Sequence, residues 1–317
     1  MPTSRATVTV EDFYTQNSGR LQLRLIAGAG GLKRIIREST VNRPGLALTG
    51  FTKYFAMKRV QVFGNAEYYY LRSLEKEERI KRYETFFRYA IPCVVFSRDL
   101  EPDKDFLRVA ESEDVPVFQT SLITMKFINM ATIALDGMFA PKSTEMGSMV
   151  DILGVGVIIK GESGIGKSES VLALVERGYS LVSDDVTLVT LVDGRKIHGT
   201  SKELTRNLME VRGIGIVDVA AMFGVKSIRK EKRVDLIISL IAWDPSMQID
   251  RLGMEQEFTK VLGIDIPHMK IPVRPGRDLA RLIEVAAFHT KLRMSGLNPA
   301  KDLNDRLMAR MRVNNGL

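Results

Sequence analysis

The chain has 317 residues, 45% of them hydrophobic and 26% charged, and a formal net charge of +8. That length fits two domains, and ordinary globular usage excludes long disordered tracts. The positive balance favours an anionic partner: a nucleotide, an acidic protein or a nucleic acid.

The basic residues are scattered (Arg34, Arg37, Lys58, Arg59, Arg229, Lys230, Lys232, Arg233) rather than interleaved with aromatics, which disfavours a nucleic-acid footprint. Residues 1–12 lack a signal-peptide pattern, and no window approaches the roughly 18 consecutive apolar residues of a membrane helix. Cys93 is the single cysteine, so no intramolecular disulfide forms; its apolar setting reads as a buried strand. A cytoplasmic chain with no membrane segment is the expectation. His198, His268 and His289 lie far apart, so zinc spacing is absent and metal chemistry must use oxygen ligands.

Along the first half, residues 21–27 and 60–63 read as strands, 67–89 as a helix, and 91–97 and 115–119 as strands again. That alternation implies a small parallel α/β sheet. The run Gly28-Ala-Gly-Gly invites a dinucleotide reading, which fails because the last glycine of G-x-G-x-x-G would fall on Lys33. A helix over 121–140 ends at Pro141, and residues 142–147 are polar. Domains of 1–132 and 133–317 are therefore expected.

The second half opens with two short strands, 149–153 and 155–160, spaced as a tight antiparallel hairpin about Gly154. Gly161, Glu162, Ser163, Gly164, Ile165, Gly166, Lys167 and Ser168 then match G-x-x-x-x-G-K-[ST] at every fixed position. The glycines let backbone N–H groups converge on phosphate oxygens, and the following helix, 167–177, offers its positive end. Lys167 would reach the β- and γ-phosphates of ATP, and the Ser168 hydroxyl would bind Mg²⁺.

A strand over 179–183 ends at Asp184 and Asp185, two carboxylates that can divide metal binding and proton acceptance. Glu210, Arg212, Gly213 and Gly215 combine a possible second metal ligand, a cation and close backbone approach; taken alone they also read as a helix end with a glycine stop. Arg251 would stabilise charge on a phosphoryl group, or is a surface turn arginine. Pro272, Arg274, Gly276 and Arg277 form a rigid loop before a helix over 278–287, able to cradle inorganic phosphate or to be only a loop.

Taken together, these segments resemble the HPr kinase/phosphorylase family. The resemblance rests on 150–157, 161–169, 176–185, 210–219, 250–253 and 272–277 in that order, and on Asn42-Arg-Pro-Gly-Leu-Ala-Leu-Thr-Gly-Phe in the first domain. It covers nearly the whole chain, with Glu-x-Arg-Gly-x-Gly its most specific part. It implies an α/β fold: a small α/β amino-terminal domain plus a phosphate-loop kinase domain similar to phosphoenolpyruvate carboxykinase. It implies ATP-dependent phosphorylation of a serine of the phosphocarrier protein HPr, reversed by inorganic phosphate with release of pyrophosphate, in a hexamer. By resemblance, residues 161–168 bind ATP, Ser168 and Glu210 ligate Mg²⁺, and Lys167 is catalytic. Asp185, supported by Asp184, exchanges the substrate proton, Arg212 and Arg251 join the catalytic group, and 272–277 serve dephosphorylation.

Two departures stand out. Where the family carries histidine-glycine, this chain reads Met146-Gly147, and a thioether neither takes nor gives a proton. Asp278 stands where asparagine is more usual, adding negative charge beside the phosphate-binding loop. Two rival functions follow: a phosphate-loop kinase of a small metabolite, and a nucleotide-binding regulator whose catalysis is reduced at Met146.

Overall fold

The computed structural model describes residues 7–244 and 256–297, together with 299, 302 and 306. The chain divides between Ala140 and Pro141. That is later than residue 132, because one helix runs on to Phe139 and packs Phe127, Ala131 and Leu135 into the first unit's core.

In chain order the first unit holds β1 (Val8–Thr9), α1 (Val10–Leu21), β2 (Leu23–Ala27), β3 (Ile35–Ile36), β4 (Val41–Asn42), α2 (Gly45–Leu48), β5 (Val60–Phe63), α3 (Asn65–Ser73), α4 (Lys76–Phe87), β6 (Val94–Phe96), α5 (Lys104–Ser112), β7 (Val117–Thr120) and α6 (Thr124–Phe139). Its five-stranded sheet has the order β2-β7-β6-β5-β4, parallel throughout except for β2 at one edge. Every residue of β5 and β6 is buried, as strands covered on both faces must be. Val60, Val62 and Val95 face Phe13 and Phe127 on one side. Phe63, Val94 and Phe96 face Phe86, Phe87 and Phe106 on the other. The helix expected over 67–89 is two helices, because Leu74 and Glu75 leave the helical region with ψ of 146° and 150°. The break lets Leu71 and Leu74 on one side and Tyr83 and Phe86 on the other reach the same aromatic core. Cys93 is fully buried in the core on the other face, with Phe13 and Phe127, and burial pushes its thiol well above the ordinary range.

The second unit holds β8 (Lys142–Met146), β9 (Ser148–Ile152), β10 (Val155–Lys160), α7 (Lys167–Glu176), β11 (Ser180–Ser183), β12 (Val186–Val192), β13 (Lys196–Thr200), β14 (Leu208–Val211), β15 (Gly215–Asp218), α8 (Val219–Phe223), β16 (Glu231–Arg233), β17 (Leu236–Ala242), β18 (Glu257–Val261), β19 (Ile264–Val273) and α9 (Leu279–Met294). A six-stranded mixed sheet, order β11-β9-β10-β17-β19-β18, carries β10, β17 and β19 in parallel. As expected, β9 and β10 form an antiparallel hairpin, turned by Leu153 and Gly154 at φ of 48° and 92°. The polar run 142–147 is largely β8, an edge strand of a four-stranded antiparallel sheet, order β16-β13-β12-β8.

The six-stranded sheet buries both faces. Val157, Ile159, Ile238 and Leu240 pack against Val171 and Leu174 of α7 and Ile283 and Ala287 of α9. Ile158 and Ile237 pack on Val189 and Ile197 of the four-stranded sheet. The two sheets meet so closely that Gly156 has no room for a side chain, since a Cβ there would collide with the Arg233 carbonyl oxygen. Among the described residues no helix is long and apolar enough to cross a membrane.

Helix α9 runs past residue 287 to Met294, with Gly296 following at φ of 89°. Asp278 is its N-cap, accepting from the Arg281 N–H at 2.9 Å, and it also pairs with Arg177 at 2.6 Å. The negative charge is thus matched by a neighbouring cation. Arg177 sits at the end of α7 and lies 3.5 Å from Glu284, whose carboxylate also takes the Tyr179 hydroxyl and, at 2.6 Å, Arg281. This network ties the far end of the phosphate-loop helix to α9. The Arg281 N–H and then the Arg177 guanidinium hold Asp278 below the usual carboxylate range, and the Tyr179 hydroxyl, then Arg281, does the same for Glu284. Burial first, and then Glu284, push the Tyr179 hydroxyl up to about 12.

Replacing Gly156 by alanine should destabilise the second unit by about 1–3 kcal/mol or more, read as a lower midpoint in thermal unfolding. Carboxylates with depressed pKa values contribute stability above about pH 4 and lose it as pH falls through their lower folded-state values. The midpoint should therefore drop on acidification below about pH 4. Asp278→Asn, which keeps a capping oxygen but no charge, should flatten that drop by lowering the neutral-pH midpoint while leaving the acid midpoint nearly unchanged.

Candidate active site

Strand β10 is buried along almost its whole length and hydrogen-bonded on both sides, so the loop leaving Lys160 starts from a fixed point. A Cβ on Gly161 would come within 2.8 Å of Ile165 Cγ2 and 3.1 Å of the Leu240 carbonyl oxygen, which is why the loop begins with glycine. Gly164 and Gly166 take φ of 89° and 103°, a region L side chains avoid, and Gly166 is the N-cap of α7. The loop therefore closes into a nest of backbone N–H groups at the start of a helix. Lys167, the first helical residue, folds back: its Nζ donates to the Gly161 carbonyl oxygen at 3.2 Å and stands 3.9 Å from Asp185 Oδ1.

The two aspartates sit at the end of β11, where the chain turns into β12. Asp185 has φ of 56° and its side chain is 72% exposed, against 15% for Lys167. A non-glycine residue in that region marks an over-determined turn. The turn is held by Gly147 N–H donating to the Asp185 carbonyl oxygen at 2.7 Å and by Ser148, whose Oγ accepts from the Asp185 N–H at 3.1 Å. Asp184 is satisfied on both oxygens: the Ser148 hydroxyl donates to Oδ1 at 2.7 Å and the Glu210 N–H donates to Oδ2 at 3.1 Å.

Glu210 and Arg212 are not at a helix end. They lie in and just beyond β14, whose antiparallel hairpin with β15 turns through Gly213 at φ of 83° and Gly215 at φ of 109°. Met209 and Val211 point into the core and Glu210 points out, the alternation of a strand with one buried face. Arg212 hydrogen-bonds the Ser163 hydroxyl and lies over Gly164, where a Cβ would come within 3.0 Å of its Nη1.

The structure thus brings Lys167, Ser168, Asp184, Asp185, Glu210 and Arg212 around one cleft of about 140 Å³. Ser163, Gly164 and Gly166 also line it, as does Glu169, to which sequence reasoning gave no role. Among the described residues no three His, Cys, Asp or Glu side chains form a ready-made metal cage. A serine hydroxyl and a carboxylate beside a phosphate loop do fit Mg²⁺, which keeps water and shares its shell with phosphate oxygens.

The second basic segment lies elsewhere. Pro272 and Val273 are the end of β19, not loop. Arg274 stacks on Trp243, its Cζ 4.0 Å from the ring centre, and among the described residues its buried Nε has no hydrogen-bond partner. Gly276 turns the chain at φ of 80° and Arg277 is exposed. None of these four lines the cleft, although α9 begins against the loop: a Cβ on Gly166 would stand 3.3 Å from Leu279 Cδ1. Arg251 lies outside the described residues. Met146 ends β8 opposite Val186, one residue from Asp185, and is 66% exposed; its neighbour Glu145 pairs with Lys160 at 2.5 Å.

Both units of the chain are similar to known proteins. The HPr Serine kinase C-terminal domain family matches residues 137–307, and the HPr Serine kinase N terminus family matches residues 8–135. An HPr kinase/phosphorylase of Chloroherpeton thalassium is 38% identical over 320 residues, covering 99% of this chain and 94% of that protein. One from Caldanaerobacter subterraneus subsp. tengcongensis is 42% identical over 288 residues, covering 91% and 94%. A solved structure of the Hpr(Ser) kinase/phosphatase from Coxiella burnetii is similar over 52% of this chain and 98% of its own, at 32% identity and a TM-score of 0.47. With both units matched in order and a relative aligned over almost the full length, the chain belongs to the HPr kinase/phosphorylase family.

Proposed function

We propose that this protein transfers the γ-phosphoryl group of ATP to a serine hydroxyl of HPr, and that it removes the same group with inorganic phosphate to give serine and pyrophosphate. The observation that carries this reading is the convergence of a complete phosphate loop, its lysine and the Asp184–Asp185 pair on one cleft in a chain of this family.

In the forward direction, the backbone N–H groups of 161–168 hold the β- and γ-phosphates, and Lys167 neutralises charge on the bridging and γ oxygens. Asp185, exposed and facing Lys167, accepts the proton of the serine hydroxyl as its oxygen attacks phosphorus and the bond to the ADP oxygen breaks. In reverse, a phosphate oxygen attacks the phosphoserine phosphorus, and Asp185 returns the proton to the leaving serine oxygen. Ser168 and Glu210 are the residues that would hold Mg²⁺, which would supply charge neutralisation at the phosphates. Arg212 spans the loop and is placed to follow charge on the transferred group. Arg251 is assigned to the same task. Residues 272–277 would contribute to phosphate handling through Arg277 and the neighbouring start of α9. Arg274 is already engaged with Trp243.

Met146 beside Asp185 supplies neither proton nor charge, so the reverse reaction should be the weaker one in this chain. The net charge of +8 supports acidic and phosphorylated partners. Exposed apolar side chains such as Leu204, Ile214, Ile216, Met222 and Val225 support a homo-oligomer, for which a hexamer is the proposed state, in the cytoplasm.

The test is phosphoserine formation on purified HPr with ATP and Mg²⁺, followed by excess inorganic phosphate. Phosphorylation that reverses with pyrophosphate release is expected, with Lys167→Ala lowering kcat about 100- to 1,000-fold. Nucleotide binding without transfer to HPr would overturn the reading in favour of a regulator or a small-metabolite kinase.

A further inference from the structure

The two carboxylates of the cleft are held in unlike ways, and one fully buried hydroxyl touches both. Ser148 opens β9 and is 0% exposed. Its Oγ–H donates to Asp184 Oδ1 at 2.7 Å and its oxygen accepts the Asp185 N–H at 3.1 Å. With Oδ2 accepting from the Glu210 N–H, each Asp184 oxygen carries a hydrogen bond from the protein. Asp185, by contrast, keeps its carboxylate exposed, on a backbone in the left-handed region.

Ordinary strand packing does not account for Ser148. The other residues of β9 are buried too: Met149, Val150 and Ile152 are apolar and contribute to the cores, and Asp151 is paired with Arg229 and Lys232. A hydroxyl at a dry position costs free energy unless it is bonded, and Ser148 makes both the donor and the acceptor bond that a hydroxyl offers. Around it, Thr187 donates to the Gly147 carbonyl oxygen at 2.8 Å and shares a 2.6 Å hydrogen bond with Ser183. The ends of β9, β11 and β12 are therefore joined by side-chain hydroxyls at the point where the aspartate turn leaves the sheet.

We propose that Ser148 is a positioning residue for phosphoryl transfer, orienting Asp184 as a strut between β9 and the Glu210 hairpin and fixing the backbone from which Asp185 works. The inference rests on the proposed kinase reading and deepens it by dividing the pair: Asp184 holds, Asp185 exchanges the proton. Ser148 touches no phosphate; it acts through its two neighbours. Losing its hydroxyl leaves Asp184 Oδ1 without its bond and frees the Asp185 N–H, so the carboxylate facing Lys167 drifts by a fraction of an ångström.

The experiment compares the parent chain with Ser148→Ala, measuring ATP affinity by titration and turnover with HPr and with water as acceptor. The expected result is a kcat about 10- to 100-fold lower with ATP affinity within twofold of the parent. In an Asp184→Asn background the same substitution should cost less than it does in the parent, since the strut is already altered and only the Asp185 N–H contact remains to be lost. A kcat within twofold of the parent, a parallel loss of ATP affinity, or an undiminished loss in the Asp184→Asn background would each overturn the proposal. Should the alanine variant not fold, Ser148→Cys, slightly larger and only a weak donor, fills the site and is judged by the same criteria. A parent that phosphorylates no HPr fails the functional reading alone, and ATP hydrolysis then reports on Ser148.

Discussion

A phosphate loop works only when the strand before it and the helix after it cannot move relative to each other, and everything in the second unit serves that constraint. Strand β10 is pinned by β9 on one side and β17 on the other, with α7 and α9 over one face and the four-stranded sheet over the opposite face. Because both faces are apolar and close-packed, a shift of β10 along its axis would break two hydrogen-bonded ladders and two cores together. The backbone N–H groups at 161–167 inherit that rigidity. Preorganised dipoles of this kind stabilise charge without reorganising during reaction, and that is where most of the catalytic advantage of such sites lies.

The acidic side of the cleft is built differently. Asp184 and Asp185 stand on a turn between two sheets, and the turn is kept in shape by hydroxyls and glycine rather than by apolar packing. Gly147 contributes there because its φ of 149° and its approach to the Ile159 carbonyl leave no space for a Cβ. The result is a site with one stiff wall, from β10 and α7, and one wall tied by polar contacts to the Glu210 hairpin. A ligand that bridges Ser168 and Glu210 would join the two walls.

What could be read in the residues was whatever is contiguous. The phosphate loop, its helix, the strand ending in Asp184–Asp185 and the β9–β10 hairpin each declare themselves within a few residues, because glycine position, apolar periodicity and adjacent carboxylates are local signals. The features that escaped are those set by distant partners. Residues 142–147 look like a polar linker because an exposed edge strand has nothing apolar to show; only pairing with β12 makes them a strand. The 67–89 segment has unbroken helical character, and its interruption at Leu74 comes from core packing. Glu210 reads as a helix end because glycine serves β-turns and helix stops alike. The length of α9 was there to be found, since no glycine or proline intervenes between Leu279 and Met294. Ser148 was not: nothing in a strand's composition announces that a single hydroxyl bonds a carboxylate 36 residues away.

The lone thiol of the first unit has an experimental consequence. Cys93 lies in a dry core between two layers of helices and its proton is held tightly, so in the native state it meets neither oxidant nor alkylating reagent as a thiolate. Any reagent that does modify it must have waited for the first unit to open. The labelling rate of Cys93 is therefore a clock for opening of that unit alone, read against a second unit that carries no cysteine. The same silence gives a clean background: a cysteine introduced on the surface of either unit would be the only one to react under native conditions. Thiol chemistry and phosphoryl transfer are thereby separated in this chain, since Cys93 and the phosphate loop belong to different folded bodies.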